Sequence, residues 1–421
     1  MTFLRRLLRR VPAVSTGSAL LALDIGTEYA KALVFETRQG EGAVVTGVGR
    51  RRQGLSHMQS GTVADIPAVV ANCRAALDEA QAMAGRDAPK AVIGIAGELV
   101  KGFTTTRSIE RKRPDSALTH SELERFLEEI EADAYAEAQR TITWETGLPN
   151  VDVRLVHAAV AGAGVDGYAV TNPVGFQGRH LRVSVFNAYA PLVHLGALES
   201  VVEQLGLQLI KVVAEPYAVA RSISSEQVGQ SGALFIDVGG GTTDVALVRS
   251  GSVEGTRMFA LGGRAFTKSL ADRLDISFEE AERIKIDHAQ GKAVQSADEV
   301  AEIVGEDVAV WAAGIELVLE EFGKEGLLPG RIELCGGGAA LPEIRAALQA
   351  GGFAAGLPFA RRPQVSMMAP SSVNEVSDAT GLLVDQQDVT PMALAFQALE
   401  ASLPQEPLDA ALARVLRGMR V

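Results

Sequence analysis

The sequence predicts an α/β fold in which two similar lobes face each other across a cleft. Two stretches, "LLALDIGTEYAKALVFETRQG" from Leu20 to Gly40 and "ALFIDVGGGTTDVALVRSG" from Ala233 to Gly251, follow the same plan. Each is an apolar strand that ends in an aspartate, a turn of glycine and threonine, and a second apolar strand, which is the pattern of a β-hairpin. Because Asp24 and Asp237 are separated by about a domain's length, each hairpin is expected to open one lobe of a duplicated fold.

The composition indicates a soluble, globular protein of two or more lobes, from a reducing compartment, that does not bind nucleic acid broadly. The 421 residues carry a formal net charge of −12 at pH 7, whereas broad nucleic-acid binding needs a basic face that replaces counterions along the phosphates. Cys73 and Cys335 lie far apart in apolar surroundings, so we expect two small buried hydrophobes and a cytoplasmic protein. No apolar run approaches the roughly 18 residues of a membrane span, so neither a span nor a secretion signal is expected.

Between the hairpins, the α/β alternation is interrupted by an insert. Helical spacing from Ile66 to Gly85 precedes the strand from Lys90 to Gly97. In the charged segment that follows, Thr119 and Glu122 have the spacing of a capping box before a long helix, and two or three strands come after it. The alternation then resumes with a helix, the strand "QLIKVVAEP" and the helix "YAVARSI". We therefore place a small α+β subdomain at residues 98–188, within the first lobe.

The second lobe is predicted to combine a sheet with a helical subdomain. Helical material runs from Gly263 to Gly323, the strand "RIELCGGG" follows, and a helix begins near Leu341 and Pro342, where proline suits a first turn. The division predicted for the whole chain is a basic amphipathic segment (1–18), the first lobe (19–97 with 189–230), its insert (98–188), the second-lobe core (231–262 with 330–400), its helical subdomain (263–329), and a linker with an amphipathic helix (401–421).

Both ends of the sequence have the spacing of basic amphipathic helices. Apolar residues share one helical face from Phe3 to Val11 and again from Leu408 to Met419, with arginines on the other face. Such a helix gains free energy by burying leucines at the lipid headgroup boundary and by placing arginines near anionic lipid. The same pattern also suits a helix docked on a partner or on the protein's own surface, and these alternatives stay open.

The turn of the second hairpin has the residues of a phosphate-binding site. Consecutive glycines after a strand let backbone N–H groups converge on an anion, and the hydroxyls that follow would donate to phosphate oxygens. Asp237, with Asp24 across the cleft, would hold Mg²⁺ through its water shell. A plain hairpin with a structural aspartate is the alternative, which the duplicated hairpin disfavours. The turn residues concerned are Gly239, Gly240, Gly241, Thr242 and Thr243.

Three further segments supply candidate ligand contacts. Glu215, at the end of a strand and the start of a helix, would orient a water toward a terminal phosphate, or is a solvated carboxylate favoured by the helix dipole. Glu282 and Lys285 share a helical face, either as a surface ion pair or as contacts to a ribose and base edge. A third glycine cluster opens onto a helix, where the backbone would pass close under a base or ribose. Its members are Gly336, Gly337 and Gly338.

The order of these motifs resembles that of the actin-like ATPase superfamily, a duplicated ribonuclease H-like fold. The first hairpin, "AEPYAVA", the second hairpin and "CGGGAAL" are similar to its phosphate-1, connect-1, phosphate-2 and adenosine motifs. "SGTVADIPAVV", "VIGIAGELV" and "VDGYAVTNPVGFQGRHLRVSV" resemble the FtsA family of cell-division proteins, whose extra SHS2-like subdomain lies in the first lobe. The resemblance implies catalytic roles for Asp24, Asp237 and Glu215. It adds three expected nucleotide contacts, Gly26, Thr27 and Lys31.

The resemblance implies a scaffold of cell division that binds ATP and Mg²⁺. Members of this family polymerise like actin and tether the ring of the tubulin-like protein FtsZ to the inner face of the cytoplasmic membrane. We therefore expect as partners the FtsZ C-terminal peptide, anionic lipid bound by the terminal helix, further copies of the chain and other division proteins. The alternative is a PilM-like assembly ATPase of a type IV pilus. A sugar or acetate kinase is disfavoured because no acceptor pocket is recognisable, and a chaperone because no peptide-binding domain follows the core.

Two features depart from the family pattern or have no assigned role. Glu28 follows Gly26 and Thr27 where the family has a small hydroxyl residue, so its carboxylate either crowds the phosphates or points outward. We therefore expect ATP binding with weak or no hydrolysis. The charged run from Arg107 to Arg113 fits a solvated loop or a docking site for another protein.

Overall fold

The computed structural model describes residues 19–38, 42–149, 151–223, 228, 232–294, 296–404 and 406–419. The predicted amphipathic helix from Phe3 to Val11 lies outside these residues. The strands are β1 (Ala19–Ile25), β2 (Tyr29–Arg38), β3 (Gly42–Arg52), β4 (Met58–Gln59), β5 (Thr62–Val63), β6 (Lys90–Ile95), β7 (Lys101–Glu110), β8 (Val153–Val165), β9 (Tyr168–Ala169), β10 (His180–Pro191), β11 (Gln208–Ala214), β12 (Ala233–Val238), β13 (Thr243–Arg249), β14 (Ser252–Phe259), β15 (Arg331–Cys335), β16 (Gln364–Met367) and β17 (Val376–Asp378). The α-helices are α1 (Ile66–Ala84), α2 (His120–Thr146), α3 (Leu192–Gln204), α4 (Glu215–Ser222), α5 (Gly263–Leu274), α6 (Phe278–Ala289), α7 (Ala297–Gly323), α8 (Pro342–Gln349), α9 (Val389–Ser402) and α10 (Pro407–Gly418).

Both lobes are built on the same arrangement of strands. In the first lobe, β1 pairs antiparallel with β2 and parallel with β6, within a sheet of order β11-β6-β1-β2-β3-β17. In the second lobe, β12 pairs antiparallel with β13 and parallel with β15, within a sheet that begins β16-β15-β12-β13-β14. The predicted duplicated hairpins are therefore confirmed, and each hairpin turn lies at an equivalent place in its lobe.

Close packing of α1 on β3 holds the first lobe together. A Cβ atom on Gly47 or Gly49 of β3 would lie only 2.0 or 1.9 Å from the carbonyl oxygens of Ala80 and Ala76 of α1. No larger residue fits at these two positions while the helix keeps this distance. On the other side of the core, helix α9 packs on β1 and α4 and is buried from residue 389 to residue 399.

The insert is an α+β unit whose sheet continues that of the second lobe. Its strands follow in the order β7-β10-β8-β9 and pair antiparallel, and α2 packs on this sheet. Strand β7 also pairs with β14, through Phe103 with Gly255 and Gly102 with Thr256. The insert therefore interrupts the sequence of the first lobe, whereas its sheet is hydrogen-bonded to the sheet of the second lobe.

The charged run from Arg107 to Arg113 is neither a solvated loop nor an open docking site along its whole length. Arg107 belongs to β7, and Arg111 is only 4% exposed. The Arg111 guanidinium donates to both carboxylate oxygens of Glu122, at 2.8 and 3.1 Å. Thr119 caps α2 by accepting from the Glu122 N–H at 3.2 Å, as its spacing predicts. Burial of Arg111 is possible because this ion pair compensates its charge, which local sequence does not reveal.

Helix α10 packs on the insert. Leu408, Leu412 and Val415 are 3%, 2% and 5% exposed, and they share one apolar cluster with residues of α2 and of the insert's sheet. Of the alternatives that its sequence leaves open, the structure shows a helix docked on the protein's own surface. Among the described residues, every helix is too short or too polar to span a bilayer.

Candidate functional site

A cavity of about 440 Å³ lies in the cleft between the two hairpin turns. The turn between β1 and β2 and the turn between β12 and β13 line it from opposite sides, together with the start of α4, helix α6 and the turn after β15. Most of the predicted ligand contacts meet in this cavity although they come from distant parts of the chain. Those that line it are Asp24, Gly26, Thr27, Lys31, Glu215, Asp237, Gly239, Gly240, Thr242, Glu282, Lys285, Gly336, Gly337 and Gly338.

Two of the predicted phosphate contacts, Thr243 and Gly241, serve the fold instead. The Thr243 hydroxyl is fully buried, donates to the Leu261 carbonyl at 2.7 Å and accepts from Trp311 Nε1 at 2.9 Å. Because successive side chains of a strand point to opposite faces, only Thr242 turns toward the cleft. A Cβ atom on Gly241 would lie 2.7 Å from Thr27 Oγ1, so this glycine lets the two hairpin turns touch.

The cleft gathers four buried carboxyl groups. Burial raises the pKa of Glu215 well above its usual range, and Asp24, Asp244 and Asp237 raise it further. Burial likewise raises the pKa of Asp244, with Asp237 adding to the effect. The pKa of Asp237 is also raised by burial, although Thr390, which donates a hydrogen bond to it, opposes the shift. Buried carboxyl groups clustered in this way favour the binding of a cation between them.

Lys31 supplies one positive charge to this cluster. Its ammonium group donates to Asp24 Oδ2 at 3.2 Å and to the Gln387 carbonyl at 2.8 Å. Burial lowers the pKa of Lys31, but the neighbouring Asp24 and Asp237 outweigh that effect, so the pKa is raised. One ammonium does not balance the charge of four carboxyl groups, so the others either keep their protons, as the raised pKa values favour, or bind a further cation.

The carboxylates suit a hydrated magnesium ion. Asp244 Oδ1 is buried and has no hydrogen-bond partner among the described residues. Within the same residues, no group of three or more His, Cys, Asp or Glu side chains is placed to coordinate a metal directly. Mg²⁺ keeps several of its waters, so Asp24 and Asp237 would hold it through that water shell, in agreement with their oxygen-only chemistry.

Glu28 is held by two arginines at the rim of the cleft. One carboxylate oxygen accepts from Arg52 Nε at 2.6 Å and the other from Arg264 Nε at 2.7 Å. Arg264 belongs to α5 of the second lobe and also donates to the Gln53 carbonyl, at 3.2 Å. Glu28 therefore does not aim a free carboxylate at the place of the phosphates. It forms an ion pair that connects the two lobes.

Glu282 and Lys285 form a buried pair rather than a surface pair. Lys285 is 8% exposed and donates to Glu282 Oε2 at 2.7 Å, to Thr267 Oγ1 at 2.7 Å and to the Gly263 carbonyl at 2.9 Å. These bonds fix both side chains where α6 lines the cavity. All three donors of the Lys285 ammonium are used in these bonds, so the pair forms a fixed part of the cavity wall.

Sequence reasoning missed several residues that line the cavity. Arg264 had a usable signal, because it follows Gly262 and Gly263. A Cβ atom on Gly262 would lie 2.7 Å from the Gly239 carbonyl oxygen, so these glycines bring α5 close to the turn between β12 and β13. Four others come from the segment directly before α9 and from its first turn, which carry no local motif: Asp385, Gln386, Gln387 and Thr390.

Comparison with known proteins agrees with the motif order. The family model described as cell division protein FtsA matches residues 234–380. The cell division protein FtsA of Pseudomonas aeruginosa is 27% identical over 347 residues, which cover 77% of this chain and 79% of that protein. FtsA of Bacillus subtilis is 28% identical over 350 residues, covering 78% of this chain and 76% of that protein.

A solved structure extends the comparison to the fold. The PilM-PilN type IV pilus biogenesis complex contains a chain that superposes with a TM-score of 0.65 at 17% sequence identity, covering 93% of this chain and 100% of that one. At this identity the likeness concerns the fold alone. The chain therefore has the two-lobed actin-like ATPase fold, and its resemblance to the FtsA family of cell-division proteins is confirmed.

Proposed function

We propose that the chain binds ATP with Mg²⁺ in the cleft between its lobes. The meeting of both hairpin turns with four buried carboxyl groups in one cavity supports this assignment most directly. The Thr242 hydroxyl and the Gly240 N–H would donate to the phosphates, and Lys31 would add its positive charge. Bound Mg²⁺ would neutralise phosphate charge between Asp24 and Asp237.

The nucleoside would lie at the other end of the cavity. There Gly336, Gly337 and Gly338 present backbone without side chains, and Glu282 and Lys285 stand opposite. Gly336 has φ of +85°, and a Cβ atom on it would lie 2.1 Å from Asp237 Oδ1, so the turn depends on glycine. This arrangement supports a contact between the adenosine and bare backbone.

The state of Glu215 agrees with weak ATP hydrolysis. A general base must be ionised to take a proton from the attacking water. Burial and the three neighbouring aspartates raise the pKa of Glu215 well above its usual range, which favours the protonated form. In that form Glu215 would orient a water by hydrogen bonding but would accept its proton poorly.

We further propose that the chain is an actin-like scaffold of bacterial cell division. It would polymerise, bind the C-terminal peptide of FtsZ and attach to the cytoplasmic face of the membrane through the amphipathic helix α10. The identities of 27% and 28% to FtsA proteins, each over more than three quarters of this chain, support a role in division. They favour it over a pilus role, for which the likeness is one of fold.

Substitution of Asp237 tests the nucleotide assignment. Asp237→Ala should abolish the thermal stabilisation that ATP and Mg²⁺ confer, which amounts to about 2.7 kcal/mol when free ligand is a hundredfold above its Kd. Asp272→Ala, an exposed aspartate of the same lobe, is the matched control and should keep the full shift. Unchanged stabilisation of the Asp237 variant would refute the proposed site.

A pull-down tests the role in division. The full chain should retain FtsZ through its C-terminal peptide, and a peptide of a pilus partner should not be retained. The reverse result would favour the pilus role.

A further inference from the structure

Helix α10 fills a groove on the insert that is defined by α2 on one side and by β8 on the other. The apolar side chains of α10 join one buried cluster with Leu123 and Leu127 of α2 and Val165 of β8. Leu416 and Met419 extend the contact as partly buried neighbours. We call this surface the α10 groove.

Polar contacts at both ends determine how α10 lies in the groove. Near its start, Asp409 Oδ1 accepts from the Val160 N–H of β8 at 3.2 Å. Farther along, Arg414 Nε donates to Glu124 Oε1 of α2 at 2.7 Å. The negative charge of Asp409 lies in the first turn of α10, where the helix dipole favours it. The groove therefore recognises a helix of defined direction and charge order.

The Val160 N–H of β8 has its partner in α10 rather than in a neighbouring strand. Strand β8 pairs with β10 along its length, but its other edge pairs with β9 only at Gly164 and Val165. An open strand edge is a site for unwanted pairing, and covering it with another element is one way in which proteins prevent that. Asp409 and the helix that carries it cover this edge.

The charge of Asp409 in α10 also acts on Lys211, a partly buried lysine of β11. Lys211 of β11 donates to Gln397 Oε1 at 3.2 Å. Burial lowers the pKa of Lys211, and the charges of Glu400 and Asp409 oppose that effect. If α10 left the groove, Lys211 would lose one of these two compensating charges.

The docked face is the same face that lipid binding requires. An amphipathic helix on a membrane buries its leucines at the headgroup boundary and places its basic residues near anionic lipid. In the groove, Leu408, Leu412 and Val415 are already buried and Arg414 is engaged by Glu124. A short helix has one such face, so the two positions exclude each other.

We propose that the α10 groove is an intramolecular receptor for α10, so that the helix binds either the groove or an anionic lipid surface, and membrane attachment requires its release. The competition by lipid rests on the proposed function, whereas the docking of α10 in the groove rests on the contacts given above. Because α9 ends at Ser402 and α10 begins at Pro407, α10 faces its groove at a high effective concentration. Lipid must compete with this internal ligand.

A peptide titration with the full chain tests the groove without any membrane. Leu412→Glu places a carboxylate where the groove is apolar, so the variant's own helix should undock and leave the groove open. A fluorescent peptide of residues 406–419 should then bind the Leu412→Glu chain at least tenfold more tightly than the wild-type chain, whose groove is filled. The same peptide carrying Leu412→Glu should bind neither chain. Equal binding to both chains, or binding to neither, would overturn the proposal.

Vesicle binding tests the competition with groove variants that leave α10 unchanged. Glu124→Arg repels Arg414 and should increase the fraction bound to phosphatidylglycerol vesicles at least threefold over wild type. Glu137→Arg, at an exposed position farther along the same helix, adds the same charge where α2 packs against residues outside the α10 cluster, and it is the matched control. Equal increases for both variants would show a general charge effect and overturn the competition. Vesicle binding by none of the chains would refute membrane attachment itself, while the peptide titration would still decide the groove.

Discussion

Replacing Thr243 by valine should destabilise the second lobe without weakening nucleotide binding. The Thr243 hydroxyl bonds the Leu261 carbonyl and the Trp311 indole N–H, at 2.7 and 2.9 Å. Valine has the same shape but takes part in neither bond. A buried polar group left without a partner costs about 1–3 kcal/mol. Since Trp311 is fully buried and the Leu261 bond is only partly so, we expect a total loss of about 3 kcal/mol.

Tryptophan fluorescence during urea unfolding measures this loss where it occurs. The chain has two tryptophans, and Trp144 is 83% exposed while Trp311 is fully buried. The spectral shift on unfolding therefore reports mainly on Trp311, beside the substituted residue. With a urea dependence of about 3 kcal/mol per molar, a loss of 3 kcal/mol lowers the unfolding midpoint by about 1 M.

The neighbouring threonine provides the matched control. Thr242 lines the cavity, and its hydroxyl makes only a long contact of 3.4 Å to Asp244. Thr242→Val should change stability by less than about 1 kcal/mol and weaken Mg·ATP binding about tenfold, as expected for a lost phosphate donor. A fluorescent ATP analogue measures both affinities. The assignment is refuted if Thr243→Val loses ATP affinity and keeps its unfolding midpoint.

Two further predictions concern charge in the cleft. Glu28→Gln should lower Tm by about 2–4 °C, because Arg264 loses an ionised partner. It should also tighten ATP binding severalfold, because the cavity loses a negative charge. If both Tm and ATP affinity stayed unchanged, the result would count against the interlobe pair. The raised pKa values of Glu215, Asp237 and Asp244 predict that their contribution to stability is complete below the usual pKa of a carboxyl and is lost as pH rises through the raised values. The melting temperature without nucleotide should therefore fall from pH 5 toward pH 8 and fall less when Mg²⁺ is present, and a melting temperature that rises over this range would contradict the carboxyl cluster.

Local sequence was sufficient for the elements and for most of the cleft. The two hairpins appear where alternating apolar runs and glycine turns predict them, and α8 begins at Pro342. These features depend on backbone preferences of neighbouring residues, which a single stretch of sequence contains. The duplicated pattern was also sufficient to predict that both turns face one site.

Roles that depend on the partner of a side chain were not predictable in this way. Thr242 and Thr243 are the same residue type in one turn, yet one lines the cavity and the other holds Trp311. The sequence around Arg111 is typical of a solvated loop, yet its side chain is buried and pairs with Glu122. In each case the contact that decides the role joins two residues that neither the helical period nor the strand period brings together.

The sequence by itself determined that α10 is amphipathic, since the spacing of its leucines and arginines allows one apolar face and no more. Only the tertiary structure decided what covers that face. The apolar surface of the insert, the open N–H of Val160 and the carboxylate of Glu124 come from separate segments that fold to the same place. The hydrophobic effect is non-directional, so the apolar face of α10 alone does not specify its partner, which depends on the apolar surface that the folded chain offers nearby.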